Sequence, residues 1–149
     1  MPRRTIGAFV AVALSLAVPA IAGASSSASA KPRHFKSTLI GAQVSSTENV
    51  YDVRGPVRGA AIQLVKENSA ATGGTDTSTT YYGTGTVVTA DTFTNTSPNA
   101  NGIVTISGSG RFVRGTGIYK HGRGKYTFSG TLNTKNGQLK VLIVGTQSL

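Results

Sequence analysis

Gly108-Ser-Gly-Arg-Phe-Val-Arg114, Gly115-Thr-Gly-Ile-Tyr-Lys-His121 and Gly122-Arg-Gly-Lys-Tyr-Thr-Phe128 follow one another without a gap. Each seven-residue unit opens Gly-x-Gly and carries an aromatic at its fifth position: Phe112, Tyr119 and Tyr126. Side chains on a strand alternate between faces with period two, so an odd repeat would flip the aromatic each time. The chain must therefore turn or bulge between units, and paired glycines allow that. This is the pattern of a small, sharply bent antiparallel sheet. It names no substrate.

Reading outward from this stretch gives more short strands. Lys125 to Leu132 sets Tyr126, Phe128 and Leu132 against Lys125, Thr127, Ser129 and Thr131, so the first set should face the core. Asn136-Gly137 reads as a hairpin turn, and Leu139 to Gly145 as the last strand, with Leu139, Val141 and Ile143 on one face. Upstream, Asn101-Gly102 reads as another tight turn before a strand at Ile103 to Ser107. Further strands are expected at Thr38 to Val44, Ala60 to Glu67 and Tyr81 to Thr89, with Thr92 to Thr94 as an edge strand. Glu48 to Arg58 reads as a connection with a short extended piece at Val50 to Val53. Asn68 to Thr80 is small and polar throughout and reads as a loop. No segment after residue 30 has helical periodicity with caps. The fold expected is all-β: one antiparallel up-and-down barrel of about eight strands.

The N-terminus reads as an address. Arg3 and Arg4 precede an apolar run from Ile6 to Ile21, and small-residue cleavage sites follow at Ala22-Gly-Ala24 and Ala28-Ser-Ala30. Residues 1–30 are expected to be a secretory signal peptide, residues 31–36 a flexible lead-in and residues 37–149 the barrel domain. The paired arginines also permit a twin-arginine route. Removal leaves about 119 residues, enough for one core. The expected location is extracellular, without stable membrane insertion. Cysteine is absent, which excludes disulfides, thiolate metal sites and cysteine nucleophiles.

Charge is lopsided. After residue 30 there are thirteen Lys and Arg against Glu48, Asp52, Glu67, Asp76 and Asp91. Beyond Asp91 there is no acid but seven bases: Arg111, Arg114, Lys120, Arg123, Lys125, Lys135 and Lys140. A basic half attracts polyanions such as an acidic cell-surface polymer, or serves as a solubilising surface. An exported domain has no evident need for nucleic acid, and none is expected as a partner.

The segment Gly108-Ser-Gly110-Arg-Phe112-Val-Arg-Gly115-Thr-Gly117, running on to Gly130, resembles the Gly-x-Gly-x-Phe-x-x-Ala-x-Gly segment of the allene oxide cyclase and dirigent barrel superfamily. The match covers Ile103 to Leu132. The resemblance implies an eight-stranded antiparallel barrel with an apolar cavity, often trimeric in plants, so a homo-oligomer is one expectation. The chain also departs from those families. Ser37-Thr-Leu-Ile-Gly41 stands where the plant dirigent strand has a His-Asp pair. The acid of the plant cyclases is missing from this strand, and their cysteine is missing altogether. Their catalytic residues therefore do not carry over.

Few constellations could carry chemistry. His34 and His121 are isolated, whereas a metal site needs three or four converging ligands, so no metal or cofactor is expected. Ser107 and Ser109 miss the nucleophile-elbow pattern. Gly117 to Gly122 has phosphate-loop spacing, but Arg123-Gly124 stands where Lys-Ser or Lys-Thr is required. Glu48, Asp52 and Arg54 beside Tyr51, Glu67 after a strand, and Arg111 next to Phe112 are the polar candidates; the plainer reading is a loop with local ion pairs and an outward arginine. Tyr81, Tyr82, Phe93, Phe112, Tyr119, Tyr126 and Phe128 are the candidates for lining a cavity, with plain core packing as the competing reading. Three functions stay open. The first is a non-catalytic module holding a small apolar or aromatic ligand, or serving a structural role. The second is a cyclase- or dirigent-like guide that steers a reactive intermediate by shape. The third is a polyanion-binding domain using the basic half.

Overall fold

The computed structural model describes residues 31–68, 70 and 72–149; the expected signal peptide lies outside them. Eight strands run in chain order: β1 (Arg33–Ser45), β2 (Glu48–Arg54), β3 (Gly59–Glu67), β4 (Gly73–Tyr82), β5 (Gly85–Asn95), β6 (Ile103–Gly115), β7 (Arg123–Asn133) and β8 (Gln138–Ser148). Each pairs antiparallel with its neighbours in sequence, and β8 pairs with β1, so the sheet closes into a barrel. Closure removes the free edges that a small sheet would otherwise present. Among the described residues no helix is long and apolar enough to cross a membrane.

The barrel is more regular than the sequence pattern suggests. Residues 33–36 are not a lead-in: β1 begins at Arg33, pairs with β8 from Arg33↔Gln147 onward, and sends Phe35 inward. Glu48 to Arg54 is a full strand whose strict alternation buries Asn49, Tyr51 and Val53. The polar stretch before Tyr81 is also not a loop, since β4 covers Gly73 to Tyr82. Its threonines suit a pleated surface, and its inward positions are filled by Asp76, Ser78 and Thr80 instead of apolar residues. Thr92 to Thr94 is no edge, because β5 runs on to Asn95 between two partners.

The seven-residue repeat is resolved by two devices. Val88 pairs with Arg114 and Thr89 with Phe112, so Val113 is an extra residue bulging from β6. After β6 the chain makes a single 3-10 turn at Gly117–Tyr119, entered through Gly117 at φ +58°. Together they return Phe112, Tyr119 and Tyr126 to one interior. The Gly-x-Gly pair Gly108 and Gly110 does something else. It lies within a regular strand, directly opposite Phe128 and Tyr126. A Cβ on Gly110 would lie 2.5 Å from the Tyr126 ring, and one on Gly108 would lie 2.5 Å from the Phe128 ring. The glycines are sockets for aromatic rings from the next strand.

The core fills one part of the barrel: Tyr51, Val53, Ala61, Leu139 and Val141 pack with half-buried Leu39, Phe128, Leu132 and Ile143. Tyr126, Phe128 and Leu132 face inward with them. The outer surface is not uniformly polar, as Ile40, Val50, Ile62 and Leu64 are exposed on β1 to β3.

Candidate binding cavity

The interior keeps a cavity of about 150 Å³. A void of about that size lined by apolar side chains can hold a benzene ring. Of the seven aromatic candidates, Tyr82, Phe93, Phe112, Tyr119, Tyr126 and Phe128 line it, and Phe35 joins them. Tyr81 does not. It follows Thr80 on β4 and therefore faces outward, half of its surface exposed. Tyr126 sits at the centre of an aromatic cluster, its ring 6.3 Å from Phe35, 6.5 Å from Phe112 and 6.4 Å from Phe128. Tyr82 and Tyr119 form a second pair 5.2 Å apart.

Of the polar candidates, Glu67 lines the cavity at the end of β3, and the other four lie elsewhere. Glu48, Asp52 and Arg54 alternate with the buried residues of β2 and stand on its outer face, where Arg54 Nε donates to Asp52 Oδ2 at 2.7 Å in an exposed ion pair. Arg111 lies between inward Gly110 and Phe112, so it points outward and lines an external concavity. None of these four reaches the cavity.

The chemistry inside comes from residues that the sequence pattern did not single out. Asp76 on β4 and Asp91 on β5 are direct register partners, and both are buried. Asp91 Oδ1 accepts a hydrogen bond from the Tyr126 hydroxyl at 2.6 Å, and Gly110 between them leaves the room. In the neighbouring row Asn49, Gln63, Ser78 and Thr89 pair in register across β2 to β5. Gln63 Oε1 accepts from Asn49 Nδ2 at 2.8 Å and from the Tyr51 hydroxyl at 2.7 Å. A polar belt thus crosses an aromatic interior.

The belt has an unusual balance. No Lys, Arg or His is among the residues lining the cavity. Burial, and then the charge of Asp76, push the Asp91 carboxyl up to about 8, against the pull of the Tyr126 hydrogen bond. Asp76 is raised by burial too, opposed by hydrogen bonding to Gln63 and Asp91. Two carboxyls this close in a dry site share a proton instead of ionising together. Burial also raises Tyr51 and Tyr126 well above the ordinary phenol range, with the neighbouring carboxylates adding to it. Three buried oxygens of the belt have no hydrogen-bond partner: Asn49 Oδ1, Asp76 Oδ1 and Thr89 Oγ1. Leaving such atoms unpaired costs about 1–3 kcal/mol each. Among the described residues no group of three His, Cys, Asp or Glu is placed to hold a metal.

Outside, the bases converge. Arg111 pairs in register with Lys125, Lys125 with Thr146, and Thr146 with His34, forming one row across β6, β7, β8 and β1. Arg114, Lys120, His121 and Arg123 line the same external concavity as Arg111 and Lys125, with no acid among its lining residues.

Comparison with protein-family models, with curated proteins and with solved structures found no match to this chain.

Proposed function

We propose that the barrel is a binding module that takes one small, ring-sized molecule into its interior and holds it without turning it over. The observation that carries this reading is the cavity itself: aromatic walls enclose a space for about one ring, and buried polar atoms of Asn49 and Thr89 in its lining lack partners. A packed core would have filled the first and satisfied the second. The motif resemblance to the allene oxide cyclase and dirigent barrels, which enclose apolar cavities, supports the same reading. The test is a thermal-shift survey with single-ring compounds such as toluene, phenol and benzyl alcohol. A ligand present at about a hundred times its Kd stabilises the fold by about 2.7 kcal/mol. Ala61 is buried against the cavity, so Ala61→Phe should remove the shift. No shift with any ring compound, or a shift that survives the filled cavity, overturns the reading.

The outer row of bases supports a second activity, retention on an acidic polymer. Its observation is the register-aligned Arg111 and Lys125 beside Arg114, Lys120 and Arg123, uninterrupted by acids. Salt-dependent elution from a polyanion column tests it.

A further inference from the structure

The cavity lining carries acids, hydroxyls and amides but no cation. Asn49 and Thr89 line it, each more than nine-tenths buried, and each has a side-chain oxygen without a partner. Asp76 is equally buried, also with an unpartnered oxygen, on the same inward face as its neighbour Asp91. The amide nitrogen of Asn49 and the hydroxyls of Tyr51 and Tyr126 are already spent as donors, on Gln63 and Asp91. Asn49 Oδ1 and Asp76 Oδ1 face no donor, the Thr89 hydroxyl can donate or accept, and no cation balances the acid pair. An ammonium group has three donors and no acceptor. Its charge would also be held by the surrounding aromatic faces.

We propose that the ligand of this cavity is a small primary amine on an aromatic or apolar ring, its ammonium seated against Asp91, with Asp76 behind it, among the unpartnered oxygens of Asn49 and Thr89. The inference rests on the cavity being a binding site and specifies what enters it. The ring occupies the aromatic part beside Tyr126, Phe112 and Phe128, and the charged end meets the belt. A neutral ring of the same shape fills the space but leaves the carboxyl pair without a counter-charge. A carboxylate ligand would add a third acid to two that already share a proton.

Proton balance follows from the seating. The groups facing Asp91 are Asp76 from β4, Tyr126 from β7 and, more remotely, Tyr51 from β2; Glu67 lines the cavity at the end of β3. No cation faces the pair among the cavity-lining residues. When the ammonium enters, the proton shared by the two carboxyls becomes easier to lose and leaves for solvent. The amine keeps its own three hydrogens as donors, and the pair becomes its counter-ion.

The test compares benzylamine with benzyl alcohol and toluene, ligands of one ring that differ only in the substituent. Titration calorimetry at pH 7 should show benzylamine binding at least ten-fold more tightly than either. Its heat should change with the ionisation enthalpy of the buffer, because a proton is released. Asp91→Asn should abolish the preference and the proton release while toluene still binds, and Asp76→Asn gives an independent second reading should the first variant fold poorly. Asp52→Asn, on the outer face of β2 and away from the cavity, should change neither. Equal binding of the three compounds, or exclusion of the amine alone, overturns the amine assignment and leaves the cavity reading standing. Amine preference that persists in both Asp variants overturns the assignment to the pair. Failure of all three compounds to bind overturns the cavity reading itself.

Discussion

Asp76 and Asp91 face each other across the β4–β5 pair, both directed into the barrel and both buried, with the Tyr126 hydroxyl closing on Asp91 from the opposite side of Gly110. Opposed carboxyls on neighbouring strands repel when ionised. The pair therefore becomes a source of strain as it loses its shared proton, and its effect on stability has a definite sign.

The folded Asp91 titrates near 8 and the ordinary carboxyl near 3.8. The folded state therefore holds its proton over a range in which the unfolded chain has lost it. Stability from this group is complete below the unfolded value and is lost as pH rises from about 4 through 8. The steepest loss a single group can impose is ~1.4 kcal/mol per pH unit. Thermal unfolding should therefore give a lower Tm at pH 8.5 than at pH 5. Asp91→Asn should flatten that slope and raise the Tm at the alkaline end. An unchanged slope in the variant would show that the pair ionises freely.

Gly110→Ala is expected to destabilise the barrel. A Cβ there meets the Asp91 carboxyl and the Tyr126 ring together. Overpacking of this kind costs about 1–3 kcal/mol. Gly83 provides the control, since a Cβ added there meets nothing within 4 Å. Denaturant midpoints should fall for Gly110→Ala and barely move for Gly83→Ala. Equal behaviour of the two would rule out the socket.

Phe128→Ala should destabilise the barrel by about 3 kcal/mol, the low end for losing a buried phenylalanine, because Phe128 is only half-buried beside the cavity. The variant enlarges the void where the ring of a ligand would lie. It should therefore bind larger ring compounds than the parent. A loss below 1 kcal/mol would mean that the side chain hardly contributes to the core.

The outer bases make a separate prediction. Neutralising Arg114, Arg123 and Lys125 together should shift elution from a heparin column to markedly lower salt without changing the interior, because all three are exposed. Elution at the parent's salt concentration would leave these residues as determinants of solubility alone.

Exported protein should begin after Ala24 or Ala30, as N-terminal sequencing would show. The barrel adds a limit: a start beyond Phe35 would strip β1 of its first contacts with β8 and remove one wall of the aromatic cluster. Finding Arg3 at the start of secreted material would refute the signal reading.

How much of this was legible depended on where the interior is apolar. From Ile103 onward, inward positions are filled by Ile106, Phe112, Tyr126, Phe128, Leu139 and Val141, and alternation reads directly. From Gly73 to Thr80 the inward residues are Asp76, Ser78 and Thr80, and a buried polar face has the composition of a loop. The acid pair was hidden for the same reason. Asp91 follows Val87 and Thr89 at period two and precedes Phe93, so reading β5 through without a break places it inside; a stop at Thr89 does not. Nothing in the spacing of Asp76 and Asp91 announces their contact, which is made by strand register alone. Glu48, Asp52 and Arg54 cluster in sequence, yet alternation sends them to the outer face, opposite to Tyr51.

The pairing of β1 with β8 has a consequence for the life of the chain before it is folded. Residue 33 must find residue 147, and no earlier contact can substitute for that meeting. Seven hairpin-like pairings between chain neighbours can form as the polypeptide emerges, but the last seam waits for the C-terminus. Long-range pairings of this kind slow folding. Until the seam closes, β1 and β8 are both bare edges, and the aromatic and acidic interior lies open between them. A molecule that fits the finished cavity would meet its walls during this interval and could be enclosed as the barrel shuts around it.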